Sequence, residues 1–204
     1  MILDTAEQLF AEQGVRTVSN RQISEAAGQG NNTAVGYHFG SKTDLVAAIV
    51  RRHHEDIERR RDQMVTSLPT APTVEDWVAC LVRPTAEHLE ALRRADGVSY
   101  YARLSAQLLA DPELRNVIVG EAGEGTSVRE VTTQLIQNDS SMPGQVRRER
   151  ATISRQLITW GYAEREKSLA AGEDELGWSA YATILTDSLT AVWLAPWAGD
   201  ECGS

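Results

Sequence analysis

Apolar residues recur along this chain at helical spacing, and no stretch sustains the period-two alternation of a half-buried strand. Leu3, Ala6, Leu9 and Phe10 form one face of a first helix, from about Leu3 to Gln13, which Gly14 closes as a C′ residue. Ser19-Asn20-Arg21-Gln22 fits a capping box and opens a short second helix that turns Ile23, Ala26 and Ala27 inward and ends at Gly28. Gly28-Gln29-Gly30-Asn31-Asn32 reads as a turn, because Gly and Asn tolerate positive φ. A third short helix is expected from Thr33 to Phe39. A second capping box, Ser41-Lys42-Thr43-Asp44, then opens a long helix through Leu45, Ala48 and Ile49, extending over about 42–66.

The segment from Leu68 to Thr73, with two prolines, is the clearest break and marks the domain connection. Beyond it, Val74, Trp77, Val78, Leu81, Thr85, His88, Leu89 and Leu92 mark an amphipathic helix, in which Pro84 should introduce a kink and free the carbonyl of Cys80. Further helices are expected from Val98 to Ala110, from Asp111-Pro112 as N-cap and N1, and from a cap at Ser127-Val128-Arg129-Glu130. A long helix follows the loop at 139–144 and runs to Ala171, before Gly172. The last helix runs from about Glu175 to Ala195. The fold class is all-α, with an N-terminal unit of short helices over 1–45, the connecting helix, and a larger helical unit over 67–204.

Charge alters this picture little. The net charge is −9. Residues 1–64 carry eight Lys/Arg against nine Asp/Glu, and residues 65–204 carry twelve against twenty, so the acidity sits in the C-terminal part. Charge permits nucleic-acid binding by the N-terminal part without predicting it. Arg51, Arg52, Arg59, Arg60 and Arg61 interleave with Glu55, Asp56, Glu58 and Asp62, the pattern of a solvated helix face with i,i+4 pairs. Two cysteines, Cys80 and Cys202, make no disulfide framework and fit a reducing cytoplasm. No apolar run approaches the roughly 20 residues that span a membrane, and the opening MILDTAEQLFAEQ is not expected to be a secretory signal. His53-His54 diverge on a helix, and Cys80 with His88 lacks further ligands, so no metal and no cofactor are expected.

The informative stretch is Ser19 to Asp44. Two helices joined by a Gly-containing turn make a helix-turn-helix, whose second helix can enter the major groove of double-stranded DNA. Such a helix needs small residues in front, so that it can approach base edges, and polar groups at its N-terminus. Asn31, Asn32, Thr33, Ala34, Val35 and Gly36 supply this mixture. Phe39 should pack inward, while Tyr37 and His38 reach phosphate oxygens; Ser19 and Arg21 at the head of the preceding helix complete the candidate DNA-facing set.

Residues 2–50 resemble the N-terminal domain of the TetR (tetracycline-repressor) family, through ILDTAEQLFAEQGV, then RQISEAAG, then AVGYHFGSKTDLVAAIV. The resemblance implies a three-helix DNA-binding domain, a helical C-terminal ligand-binding and dimerisation domain, and a phosphate contact by Lys42. It implies a homodimer on palindromic operator DNA, acting in the cytoplasm and by family default a repressor released by a small-molecule effector. The chain departs from the commoner pattern by one extra residue between Gly28 and Tyr37. Many relatives also carry a basic arm before the first helix, where here Met1 abuts it.

Over 67–204 the expectations rest on composition. Trp77, Cys80, Leu81, His88, Tyr100, Tyr101, Leu104, Leu108 and Trp160 lie on helices expected to surround a cavity, and aromatics with a few polar tips suit a mostly apolar or aromatic ligand. The last two long helices are expected to pair with their symmetry mates, through Gly161, Tyr181, Leu185, Leu189 and Val192, as a four-helix bundle. The competing class is a helical ligand-binding protein or enzyme whose N-terminal unit does not touch DNA. No nucleophile–base pair, phosphate-binding glycine loop or metal cluster supports an enzyme in the sequence.

Overall fold

The computed structural model describes residues 1–28, 37, 39–123, 126–138, 142–173 and 176–197, and the described residues form helices joined by turns, without strands. In chain order the helices are α1 (Ile2–Gln13), α2 (Asn20–Ala26), α3 (Lys42–Thr66), α4 (Val74–Asp96), α5 (Tyr101–Ala110), α6 (Arg115–Gly123), α7 (Thr126–Gln137), α8 (Gly144–Ala171) and α9 (Trp178–Leu194).

Their starts follow local side-chain chemistry. Ser19, Ser41 and Thr73 each accept a hydrogen bond from the backbone N–H three residues on, and Gln22, Asp44 and Asp76 reach back to the cap backbone. These reciprocal caps satisfy N–H groups that a helix start leaves without partners. The ends of α4 and α8 fall at Gly97 and Gly172, both left-handed with φ of 81° and 68°, a conformation that costs glycine nothing.

Several expected boundaries move. The helix expected from Val98 begins at Tyr101, because 98–100 is irregular. Asp111 ends α5 and accepts from the N–H groups of Glu113 and Leu114, capping a turn that precedes α6. Ser127 is not a cap: it lies inside α7 and donates to Glu58 Oε2 at 2.8 Å, and the same carboxylate accepts from Val128 N at 3.4 Å. Glu58, from α3, thus serves the start of α7. Pro84 does not interrupt α4, which continues helical through it. The carbonyl of Cys80, released by the missing N–H of Pro84, accepts instead from Arg61 Nε at 3.0 Å.

Two apolar clusters organise the chain. The first joins Ala6, Phe10, Val15, Val18 and Ile23 to Leu45, Ile49 and Val50, and is completed by Leu104 and Leu108 of α5 and Ile118 of α6. Residues 1–45 therefore do not close their own core. Ile23 and Ala27 face inward as expected, but Ala26 is exposed. The second cluster unites α4, α7, α8 and α9 with Ile57 of α3 and includes Val78, Leu89, Leu135, Tyr162, Trp178, Leu185 and Leu189. Some polar groups in these interiors tie elements together: Arg150 donates to the carbonyls of Trp193 and Ala195 at the end of α9, and Tyr162 to that of Val82. Glu166 of α8 accepts the N–H groups of Ala102 and Arg103, capping the start of α5. Among the described residues, no helix is long and apolar enough to cross a membrane.

Candidate functional site

The head of the molecule is α1, α2 and the first turns of α3. Tyr37 is 85% exposed and Phe39 packs against the head core, so these two helical residues before α3 present the phenol outward and the phenyl inward. Ser41 and Asp44 cap α3 right behind them, with Ser41 N donating to Asp44 Oδ2 at 3.0 Å. Lys42 is half-buried and its ammonium donates to the carbonyl of Val15 at 3.1 Å. One of its three donors is thus used to tie α3 to the loop after α1. Ser19 spends its hydroxyl on the α2 cap, and exposed Arg21 pairs with Glu25 at 2.7 Å. Asn31, Asn32, Thr33, Ala34, Val35 and His38 lie outside the described residues.

The arginines of α3 do more than coat a solvated face. Arg59 and Arg60 pair with Asp56 along the helix. Arg51 reaches Glu121 of α6 at 2.8 Å, and Arg52 reaches Glu7 of α1 at 2.7 Å. Arg61 is buried, pairs with Glu58, and loses part of its charge affinity to burial, which lowers its pKa to about 10. The signal was present in the sequence: Ile49, His53, Ile57 and Arg61 follow one another at i,i+4, so a single buried stripe carries two polar side chains.

Arg61 also marks a cavity of two adjoining chambers, about 380 Å³ and 340 Å³. Their common wall is Arg61, Thr85, Val128, Arg155, Ile158 and Thr159; Leu81, Leu135 and Trp193 line one chamber, and Ile57, Tyr101, Ser105, Leu109, Ile118 and Tyr162 the other. Each chamber reaches the lower end of the usual range for small-molecule pockets, about 300–1,000 Å³. The walls are apolar and aromatic, with two guanidinium groups and a row of hydroxyls. Burial holds the phenol of Tyr101 up at about 12, so it stays neutral.

Of the residues expected around a cavity, Leu81 and Tyr101 line these chambers. His88 and Tyr100 border a different, polar cleft beside Glu7, Arg52 and His53. The expectation fails for Leu104 and Leu108, which face the head core, and for Cys80 and Trp77, which belong to the packing of the second cluster. Trp160 is 51% exposed on the outer face of α8. The reason is common to all of them: periodicity identifies an apolar face without saying which neighbour covers it.

The residues expected to pair across a dimer sit mostly inward in the single chain. Leu185 and Leu189 are buried within the chain, and Val192 is half-buried. Tyr181 folds onto its own chain, where its hydroxyl would sit 2.5 Å from a Cβ added at Gly161, so Gly161 admits an α8–α9 contact inside the protomer. The apolar side chains left facing outward are Ile153, Leu157 and Trp160 on α8, Ile184 and Leu194 on α9, and Trp197 beyond it. At i, i+4 and i+7, the α8 trio forms one stripe.

Among the described residues no group of three or more His, Cys, Asp and Glu side chains could hold a metal ion. A polar line through Glu7, His53, His88 and Asp56 was missed from sequence, since its bonded neighbours sit 32 to 46 residues apart.

Residues 2–49 match the family model described as bacterial regulatory proteins, tetR family. The repressor AcnR of Corynebacterium efficiens, an HTH-type transcriptional repressor, is 34% identical over 114 residues, which is 56% of this chain and 52% of AcnR. The chain spans about half the length of the curated relatives it matches. Among solved structures, the TetR family regulator PfmR of Thermus thermophilus superposes with a TM-score of 0.60 at 14% identity, over 96% of this chain and 99% of PfmR. LfrR of Mycobacterium smegmatis, solved with proflavine, gives 0.52 at 23% identity, over 96% of this chain and 95% of LfrR. At these identities the structural likeness is one of fold.

Proposed function

We propose, from the match of residues 2–49 to the family model of tetR-family bacterial regulatory proteins, that the chain is a transcriptional repressor that binds a palindromic operator as a homodimer and releases it when a small molecule enters the cavity. In this reading residues 1–45 read DNA, 67–204 sense and pair, and α3 joins the two. Pairing through the outward stripe of Ile153, Leu157, Trp160, Ile184 and Leu194 removes apolar surface from water. It sets two heads about one DNA turn apart, roughly 34–36 Å. DNA would be met in the cytoplasm.

The observation that carries the proposal is the double exposure of α5. Tyr101, Ser105 and Leu109 face the cavity, while Leu104 and Leu108 of the same helix lie in the head core. An occupant that displaces the first set must shift the second, because close-packed interiors move between discrete arrangements. Helix α3 adds a second route, as Ile57 lines the cavity and Ile49 the head core. The occupant fits the walls best if it is mostly apolar or aromatic with one anionic or hydrogen-bond-accepting end toward Arg61 and Arg155. Occupancy acts as a population shift, and couplings of this kind are worth about 1–3 kcal/mol.

Fluorescence anisotropy on labelled DNA from upstream of the protein's own gene tests this reading. Wild type is expected to bind with steep salt dependence. Lys42→Ala should weaken binding to all sequences and lower the salt slope by about one, and Thr33→Ala should relax base preference. Equal affinity for every fragment, or binding indifferent to salt, overturns the proposal.

A further inference from the structure

Four side chains form a hydrogen-bonded line across the junction between the head and the rest of the chain. Glu7 Oε2 of α1 lies 2.7 Å from His53 Nε2 of α3, His53 Nδ1 lies 2.8 Å from His88 Nε2 of α4, and His88 Nδ1 lies 2.8 Å from Asp56 Oδ2 of α3. Glu7, His53 and His88 are buried, and Tyr101 of α5 stacks on His53 with ring centroids 4.0 Å apart.

Each of these three contacts needs a proton between its heavy atoms. Two neutral imidazoles between two carboxylates carry only two. If each ring gives its proton to its own carboxylate, two bare nitrogen lone pairs face each other at 2.8 Å. The line therefore holds one further proton. Its place is the ring pair, since the outer oxygens are already acceptors: Arg52 Nη2 donates to Glu7 Oε2 at 2.7 Å, and Arg60 Nε to Asp56 Oδ2 at 2.7 Å. Burial alone would raise the Asp56 carboxyl, but Arg60, His88 and Arg59 together hold it well below the usual carboxylate range.

We propose that the His53–His88 pair is a proton switch, which with its shared proton staples α1 of the head to α3 and α4, and on losing it sets two bare nitrogens against each other and frees the head to tilt. The groups facing it are Asp4 and Glu7 from α1, Arg52, Asp56, Arg59 and Arg60 from α3, Glu87 from α4 through Arg60, Tyr100 just before α5, and Tyr101 at its start. Both phenols are pushed up by burial and stay neutral. Burial pushes His88 down when it is taken singly, opposed by Asp56. The three short contacts nevertheless close only with the third proton, so the two rings hold or release it together. The hold is thus present while the pair keeps its third proton and is lost as rising pH removes it.

The test needs no DNA, so its failure is distinct from failure of the operator reading. In the full chain, ¹⁵N spectra of the histidine rings followed from pH 5.5 to 9 should show two of the four histidines sharing three protonated nitrogens above the pH at which the others have titrated. The melting temperature should fall across that step, by about 3–5 °C for each unit that the pair's midpoint stands above the free value. His53→Gln and His88→Gln should flatten this slope. Independent titration of both rings at the ordinary value, or variants with the wild-type slope, overturns the proposal; the ring spectra of the unmutated protein decide it even where a variant fails to fold.

Discussion

Leu108 should behave as a residue of the head although it lies more than sixty positions beyond it. Its side chain is fully buried among Phe10, Val18, Leu45 and Ile49 rather than in the cluster formed by its own half of the chain. Truncating such a leucine removes its transfer free energy and leaves a void that two helical layers cannot easily close, at a cost of about 2–5 kcal/mol. With α1 and α6 both packed against α5, a middle value of about 3 kcal/mol is appropriate. A chain of this size shifts by roughly 2–4 °C per kcal/mol, so Leu108→Ala should lower the melting temperature by about 6–12 °C. Leu109, one position on, is half-buried and borders the cavity; Leu109→Ala should cost about 1–2 kcal/mol, because the void opens into existing space. Differential scanning calorimetry of both variants supplies the check. A single cooperative transition that moves as a whole is expected, since α5 belongs to both cores. Equal effects of the two truncations, or a split transition in which only one step moves, would refute the shared role of α5.

The remaining expectations are more local. Gly161→Ala places a methyl group against the Tyr181 hydroxyl and should cost about 1 kcal/mol of stability by overpacking; adding Tyr181→Phe removes that oxygen and should restore most of the loss in urea titrations. Trp160→Glu puts a charge in the outward apolar stripe and should convert the proposed dimer to monomer by light scattering after gel filtration, with unchanged helicity by circular dichroism. Asp111 is held below the usual carboxylate range first by Arg16 and then by two backbone N–H groups, so its contribution is present above pH 3.8 and fades as pH falls toward its lower folded value. Asp111→Asn should therefore flatten the acid limb of a stability–pH curve while leaving the alkaline limb alone.

What could be read from the chain was whatever its chemistry decides locally. Ser19 and Ser41 each find a partner three residues away, so their caps depend on no distant contact. Gly97 and Gly172 end helices for the same kind of reason. The order of helices and the family likeness of the head follow from such signals. What the chain concealed was which face meets which. Helix α5 is apolar on two sides, and nothing in Tyr101–Ala110 says that Leu104 and Leu108 look toward residues 1–50 while Tyr101 looks toward a cavity. Leu185 and Trp160 are both apolar helix residues at plausible spacing, yet one is core and the other lies outward. Polar side chains misled most. His53, His88 and Arg61 read as solvated or as failed metal ligands, because the geometry that buries and pairs them joins α1, α3 and α4 only after the chain has folded. The carbonyl freed by Pro84 was foreseeable, whereas the guanidinium of Arg61 that answers it was not.

The central claim is that two copies of the head are held in fixed register on DNA. Incubating the purified chain with random duplex DNA, then sequencing what it retains, examines that claim most directly. The account predicts enrichment of an inverted repeat whose half-sites lie about 10–10.5 base pairs apart, centre to centre, or a multiple of that. Retained DNA with no inverted repeat, or with half-sites at no fixed spacing, would contradict it.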